Sequence, residues 1–430
     1  MEQGTIIAFL AVGASIFIGF FGNLIFTRYR IPDVLIMIIL GVVIGPDVLG
    51  LVGISGLDSI NQYRDIFLSV ALVLILFDGG LTLDLRAVLE SMRLATFVTV
   101  INMALEVLVV GVALHLIFDI DLVLSFVFAT IVGGTSSAIV IPITNKMRIK
   151  PRTKAMLVWE SVLTDVLVIT VALSLMSLIE VGDFSLLTMA EEIAVKFLVG
   201  AAIGFAAGIL WLFALQKLEK QPLSYMLTVG ALFAIAAAVE MDPINSSGAV
   251  AALMFGLALG NRKDVKRWLT SVTLHQHSSG HIEEFHSEIS FFVRTFFFVY
   301  LGLLIRFDTF TITHLAVGIG IIAVVVVVRR MTASLATRVG DLDKEESDAV
   351  FGMMARGLAA AVLATTPAVV LAGTDVWEPE YEAFILNVTL VVIVGTTVVT
   401  TILSFFAERG IDARNRKELR RKLTEETETT

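Results

Sequence analysis

Residues 122–143 read LVLSFVFATIVGGTSSAIVIPI. The run is long enough to cross a hydrocarbon core of roughly 30 Å as a helix. Its middle resists that form. Gly133-Gly134-Thr135-Ser136-Ser137 sets two glycines and three hydroxyl residues at mid-depth, and Pro142 follows. Such residues disfavour a continuous helix, so the spacing predicts a break. A broken membrane helix frees carbonyl oxygens and leaves half-helix ends at the midplane, which is how carriers build an ion site. The competing reading is a packing face of small residues against a neighbouring helix. The next apolar run tips the balance, because Trp159-Glu160-Ser161-Val162-Leu163-Thr164-Asp165 carries two carboxylates in mid-span.

Working outward, thirteen apolar segments emerge, near residues 5–26, 33–53, 66–82, 95–117, 122–143, 155–179, 190–216, 222–239, 246–260, 286–305, 311–337, 349–372 and 382–407. Backbone groups in lipid must be satisfied within the segment, so the expected class is an all-α membrane protein of about thirteen transmembrane helices. The twelfth segment carries Arg356-Gly357 and then Thr365-Thr366-Pro367, so it too is expected to be interrupted. Segments five and twelve hold equal places if segments 1–6 and 8–13 are two six-helix halves. Interruptions at corresponding places point to a transporter site.

Lysine and arginine mark one side. They crowd the loops after odd-numbered segments, among them Arg28, Arg86, Lys146, Lys150, Lys154, Lys217, Arg262, Lys263 and Lys344, and the tail from Arg409 to Lys422. The other side offers Arg64 and Arg306. The positive-inside rule then sets the N-terminus outside and the C-terminus in the cytoplasm. Residues 261–285 form a cytoplasmic loop and 409–430 a charged cytoplasmic tail, expected as a short surface helix that frays. The transmembrane unit takes up residues 1–408. No basic stretch precedes the first segment, so no cleavable leader is expected.

Hydrophobic residues make up 57% of the chain and charged residues 17%, well away from a soluble domain. The absence of cysteine excludes disulfides, thiolate metal sites and thiol nucleophiles. The net charge of −9 gives no reason to expect nucleic-acid binding. There is no His-Glu-x-x-His, no phosphate loop and no paired membrane aspartates of the protease type. An enzyme is therefore not expected, and neither is a cofactor.

A charge at the bilayer centre costs about 2.5–3.5 kcal/mol even on the lenient insertion scale, so the acids and bases left inside spans are informative. They are Glu106, Glu160, Asp165, Arg294, Arg329, Arg330 and Arg356, with Asp78, Lys196 and Glu288 near span ends. At 100° per residue Ser161 and Asp165 share a face, while Glu160 and Asp165 lie about 140° apart. The two carboxylates therefore serve different neighbours: one can be neutralised by an arginine while the other faces a cavity. Carboxylate, hydroxyl and carbonyl oxygens suit a hard monovalent cation. Glu106 reads either as a second acid on the ion path or as a buried acid bonded to a neighbouring helix. Asp78 and Glu288 line an inner funnel or are simply solvated. Arg294 supports the core or lies on a dimer face, and Lys196 snorkels. His275, His277, His281 and His286 fit no strong zinc pattern, so a solvated loop is favoured over a pH sensor. Gly53-Ile54-Ser55-Gly56 imitates a protease motif without a partner histidine, and Asn245-Ser246-Ser247 is a formal glycosylation sequon in a loop too short to use it.

Several patches in order resemble the monovalent cation–proton antiporter superfamily, on its NhaP and sodium–hydrogen exchanger side. They are Ile31-Pro32 with Gly41 to Pro46, Phe77-Asp78-Gly79-Gly80-Leu81-Thr82-Leu83-Asp84, Glu160-Ser161-Val162-Leu163-Thr164-Asp165, Ser247-Gly248 through Gly260-Asn261, Phe298 to Leu303, and Ala355-Arg356-Gly357. The resemblance implies two inverted repeats, interrupted helices five and twelve, a dimerisation part, and an elevator-like core near residues 95–179 and 311–407. It also implies a homodimer in the plasma membrane. It casts Asp165 as the residue that holds cation and proton alternately. Glu160 becomes the partner of an arginine in the eleventh span, Arg329 or its neighbour Arg330, and Arg356 the arginine of the broken twelfth. Two motifs depart from the family pattern. Its Thr-Asp-Pro is Thr135-Ser136-Ser137 here, and its Asn-Asp is Thr164-Asp165. Both changes bear on ion choice.

The expected function is exchange of sodium or lithium for protons, with potassium–proton exchange as the alternative and a channel as a more distant one. Asp165, Ser161 and Thr135, with Ser136 and Glu160 nearby, are the expected cation and proton ligands. Thr164, Glu160, Arg329 and Arg356 hold the site together. One titrating carboxylate per site makes the exchange electroneutral.

Overall fold

The computed structural model describes residues 13, 17, 33–52, 64–181, 186–218, 224–268, 280–305, 307 and 310–428; some helical residues within these ranges are described by their backbone alone. The described residues form helices and connecting turns, with no β-strand among them. In chain order the helices are α1 (Asp33–Ile44), α2 (Arg64–Thr82), α3 (Leu85–Phe118), α4 (Leu122–Ile131), α5 (Ser137–Lys146), α6 (Pro151–Val181), α7 (Leu186–Leu218) and α8 (Ser224–Glu240). They continue with α9 (Gly248–Gly260), α10 (Arg262–Trp268), α11 (Gly280–Leu303), α12 (Ile312–Gly340), α13 (Lys344–Gly352), α14 (Leu358–Leu363), α15 (Thr366–Val370) and α16 (Glu380–Glu428). Five of these are long and apolar enough to cross a membrane: α3, α6, α7, α12 and the first part of α16.

Local chemistry sets the helix boundaries. Asp84 caps α3 by accepting from the Ala87 N–H at 2.9 Å, and Asp119 ends it in the left-handed region at φ 55°. Asp121 then caps α4 by accepting from Val123 and Leu124. Pro151 opens α6, where its missing N–H costs no helical bond. Thr311 and His314 form a capping box at the start of α12, and Asp343 and Glu346 do the same for α13.

Both expected interruptions are present. The segment read as 122–143 is two helices, α4 and α5, joined by unwound residues 132–136. The segment read as 349–372 is three pieces, α13, α14 and α15, with residues 353–357 unwound. Two other expectations need correction. The loop over 261–285 is partly helical, because α10 fills Arg262–Trp268 and α11 has begun by Gly280. The tail over 409–430 is no separate helix: α16 continues through Glu428 without a cap or proline to stop it. The segment over 5–26 apart from residues 13 and 17, the Gly53–Gly56 motif, His275, His277 and Arg306 lie outside the described residues. So do the side chains of His281, His286, Glu288 and Arg294.

The helices pack as two groups. In one, α9 lies between α2 and α7, α8 packs on α9, and α11 joins α1 and α2. In the other, α3 packs on α4, α6 and α12, while α16 packs on α12 and α13. The groups meet where α2 touches α5 and where α6 touches α7. Glycine permits a close approach between α2 and α9. A Cβ on Gly256 would strike the Phe77 carbonyl, and one on Gly80 the Leu253 carbonyl.

Candidate functional site

The site lies in the second group, where the two unwound segments cross. The Ser136 N–H donates to the Ala355 carbonyl at 2.8 Å, so each segment satisfies part of the other. This disposes of buried backbone groups that no helix can pair. Gly357 packs directly against Ser136, and a Cβ there would collide with the serine hydroxyl. The second segment is also tied to α16, whose Thr396 and Thr400 hydroxyls accept from the N–H groups of Arg356 at 3.0 Å and Met354 at 3.2 Å.

Asp165, on α6, faces this crossing. It is 6% exposed, and its Oδ2 accepts from the Ser137 hydroxyl at 2.6 Å. The Ser137 N–H reaches the same carboxylate. Ser137 is the first residue of α5, so the carboxylate meets a helix N-terminus, where donors are free and the dipole favours an anion. No cation pairs with Asp165 among the described residues.

One turn away on the same helix, Glu160 meets a different environment. Arg329 of α12 donates to it through both terminal nitrogens, Nη1 to Oε1 and Nη2 to Oε2, the latter at 3.1 Å. Arg329 Nε donates to the Val350 carbonyl at 2.9 Å. Both side chains are nearly fully buried. Arg330 points elsewhere: it is over half exposed, 3.8 Å from Asp348, with its guanidinium 5.1 Å from the Phe351 ring centre. The choice between the two arginines thus falls on Arg329 by geometry.

The remaining expected ligands divide. Thr164 donates to the Thr135 carbonyl at 3.0 Å, and their hydroxyls lie 3.1 Å apart, which locks the first unwound segment to α6. Ser161, expected beside Asp165, instead donates to the Val158 carbonyl of its own helix at 2.9 Å. Ser136 caps α5, but its buried hydroxyl has no hydrogen-bond partner among the described residues. Glu160, expected among the ion ligands as well as in a pair, is held in the pair. Ser137 was missed as the neighbour of Asp165. A signal existed, since the first residue of a resumed helix offers both a free N–H and its side chain to an anion. Glu106 and Arg356, which no local spacing links, are partners: Arg356 Nη2 donates to Glu106 Oε2, with both side chains at most 1% exposed.

The chain matches the family described as "Sodium/hydrogen exchanger, transmembrane" over residues 13–409. Among curated relatives it is similar to the "K(+)/H(+) antiporter NhaP" of Alkalimonas amylolytica, 26% identical over 337 residues, covering 76% of this chain and 54% of the other. It is also similar to the "Probable Na(+)/H(+) antiporter 2" of Methanocaldococcus jannaschii, 23% identical over 290 residues and 64% of each chain. This chain spans about half the length of the NhaP relatives it matches. Its fold is similar to that of the sodium proton antiporter MjNhaP1 of Methanocaldococcus jannaschii, solved at pH 8. That match has a TM-score of 0.72 at 19% identity, covering 94% of this chain and 100% of the other. With a match over most of its length and apolar helices to suit, this multi-pass membrane chain belongs to the transmembrane sodium/hydrogen exchanger family.

Proposed function

We propose that the protein exchanges a monovalent cation for a proton, with sodium or lithium as the cation and Asp165 holding each guest in turn. The observation that carries the reading is the setting of Asp165. It is a buried carboxylate without a cationic partner among the described residues, placed at a helix break and bonded to the first residue of the resumed helix. A carboxylate in that setting needs either a proton or a cation to balance it. The hydroxyl of Ser137 is the neighbouring oxygen. Thr135 contributes through its contact with Thr164, which keeps the unwound segment in place, rather than as the direct cation ligand expected from the sequence.

Competition for one carboxylate couples the two fluxes. When the cation arrives the proton leaves, and when the cation departs a proton returns. With Glu160 and Glu106 each paired to an arginine, one proton exchanges for one cation, and the cycle is electroneutral. Alternating access follows if the group built on α3 to α6 and α12 to α16 moves against the other group as a body. Thirteen spans in two inverted halves, a homodimer in the plasma membrane, and a cytoplasmic C-terminus complete the reading. A second cation deserves a parallel assay, because the NhaP relatives are named potassium–proton antiporters.

The test is proton movement in sealed vesicles, read by dequenching of a pH-gradient dye after addition of sodium, lithium or potassium. Wild type should respond to at least one of these ions, and the ion with the lowest half-saturating concentration identifies the substrate. Asp165→Asn should give no response while reaching the membrane in normal amounts. Exchange retained in that variant rejects the site.

A further inference from the structure

We infer that Glu106 is a positioning residue: it neutralises Arg356 so that one guanidinium can hold the ends of both interrupted helices, and it carries no transported proton. The inference rests on the reading of Asp165 given above. Each interrupted helix ends its first part inside the protein, α4 at Ile131 and α13 at Gly352. A helix C-terminus presents carbonyls without intrahelical donors and the negative end of the dipole. Arg356 answers at both places. Its Nε donates to the Val132 carbonyl at 2.7 Å, and its Nη1 donates to the Met354 carbonyl at 2.8 Å.

That leaves a buried positive charge to balance. Residues 132–136 contain no ionisable side chain, and residues 353–357 contain only Arg356 itself. The acid comes instead from α3, outside the crossing. Glu106 takes the third Arg356 contact on Oε2 and accepts from Asn102 Nδ2 on Oε1 at 3.0 Å. Asn102 Oδ1 in turn accepts from the Thr332 hydroxyl at 2.7 Å. Thr332 lies on α12, three residues beyond Arg329, so the two ion pairs share one buried polar network. The charged groups around Glu106 are Arg356, Arg329 and Glu160. Asp165 takes its bonds from Ser137 and stands apart from this network.

A carboxylate moved to the crossing itself should therefore substitute for Glu106. Ser136 is the place for it. Its hydroxyl is buried without a partner among the described residues, it is the N-cap of α5, and its N–H already bonds Ala355, the neighbour of Arg356. Aspartate is a favoured N-cap residue.

The experiment compares Glu106→Gln with Glu106→Gln/Ser136→Asp in the vesicle assay. Glu106→Gln should lower maximal exchange about tenfold or more, a loss of transition-state stabilisation. Its pH midpoint and proton-to-cation ratio should stay as in wild type. The double variant should recover most of the lost rate, a rescue that a purely space-filling role for Glu106 does not produce. Full rate in Glu106→Gln, a changed ratio, a midpoint moved by about one pH unit, or a double variant no better than the single overturns the inference. If Glu106→Gln fails to accumulate in membranes, recovery of both accumulation and exchange in the double variant carries the same test. Exchange surviving Asp165→Asn rejects the underlying reading, whereas loss there without rescue here rejects this inference alone.

Discussion

Two neighbouring arginines on α12 show how much one position along a helix decides. Arg329 is 1% exposed and grips Glu160, while Arg330 is over half exposed beside Asp348. Removing one partner of a buried pair strands the other charge, at a cost of about 3–5 kcal/mol. A surface pair contributes roughly 0–1 kcal/mol. Arg329→Met should therefore sharply lower the thermal unfolding temperature of the detergent-solubilised protein, and Arg330→Ala should barely move it. Equal effects would mean that Arg329 does not hold Glu160. Adding Glu160→Gln to Arg329→Met should recover much of the loss, since an uncharged pair strands nothing. At this scale the sequence was informative about acids and bases, because an intramembrane charge is costly enough to demand a reason. It was less informative about hydroxyls. Ser137, Ser136 and Ser161 are chemically alike, and their roles differ only through where a helix stops and restarts.

At the scale of elements, the interruptions were legible from glycine, hydroxyl and proline content, but the contacts that pin them were not. The start of α13 is an example. Lys150, just before α6, reaches Asp343 at 2.7 Å and Glu346 at 3.2 Å, while the Thr153 hydroxyl donates to Glu346 at 2.7 Å. These partners lie some 190 residues apart in sequence, and no local pattern announces them. Burial alone pushes the Glu346 carboxyl up, but the bonds from Thr153, the Asp343 N–H and Lys150 outweigh it and hold the group below its ordinary value of 4.5. A carboxyl lowered by folding adds stability above its unfolded value and loses that addition as pH falls through the folded one. Wild type should accordingly lose thermal stability below about pH 4.5 in part through this group. Glu346→Gln should be less stable than wild type at neutral pH, and the gap should narrow on acidification. A gap that stays constant from pH 7 to pH 4 would show that the charge of Glu346 contributes nothing there.

For the whole molecule the question is whether the two helix groups move relative to each other. In the packing, α3 to α6 and α12 to α16 enclose the crossing, α1, α2 and α7 to α11 make up the rest, and the two touch where α2 meets α5, α6 meets α7, α1 meets α16 and α2 meets α14. One seam between them runs from α2 to the α5–α6 corner. There the Thr82 hydroxyl donates to Asn145 Oδ1 at 3.2 Å, and Lys154 Nζ donates to the Thr82 carbonyl at 3.3 Å. These two bonds are exposed, so water can replace them if the groups slide. If Asp165 reaches both sides by travelling with its group, then tying Thr82 to Asn145 should trap it on one side. The chain has no cysteine of its own, so Thr82→Cys/Asn145→Cys can be linked by a short thiol reagent without background reaction. Cation-driven proton movement should stop on linking with a reducible reagent and return on reduction, while either single variant treated the same way keeps its rate. Full exchange in protein shown by gel shift to be linked would mean that the ion crosses without relative motion at this seam, and the carrier cycle would need a different moving part.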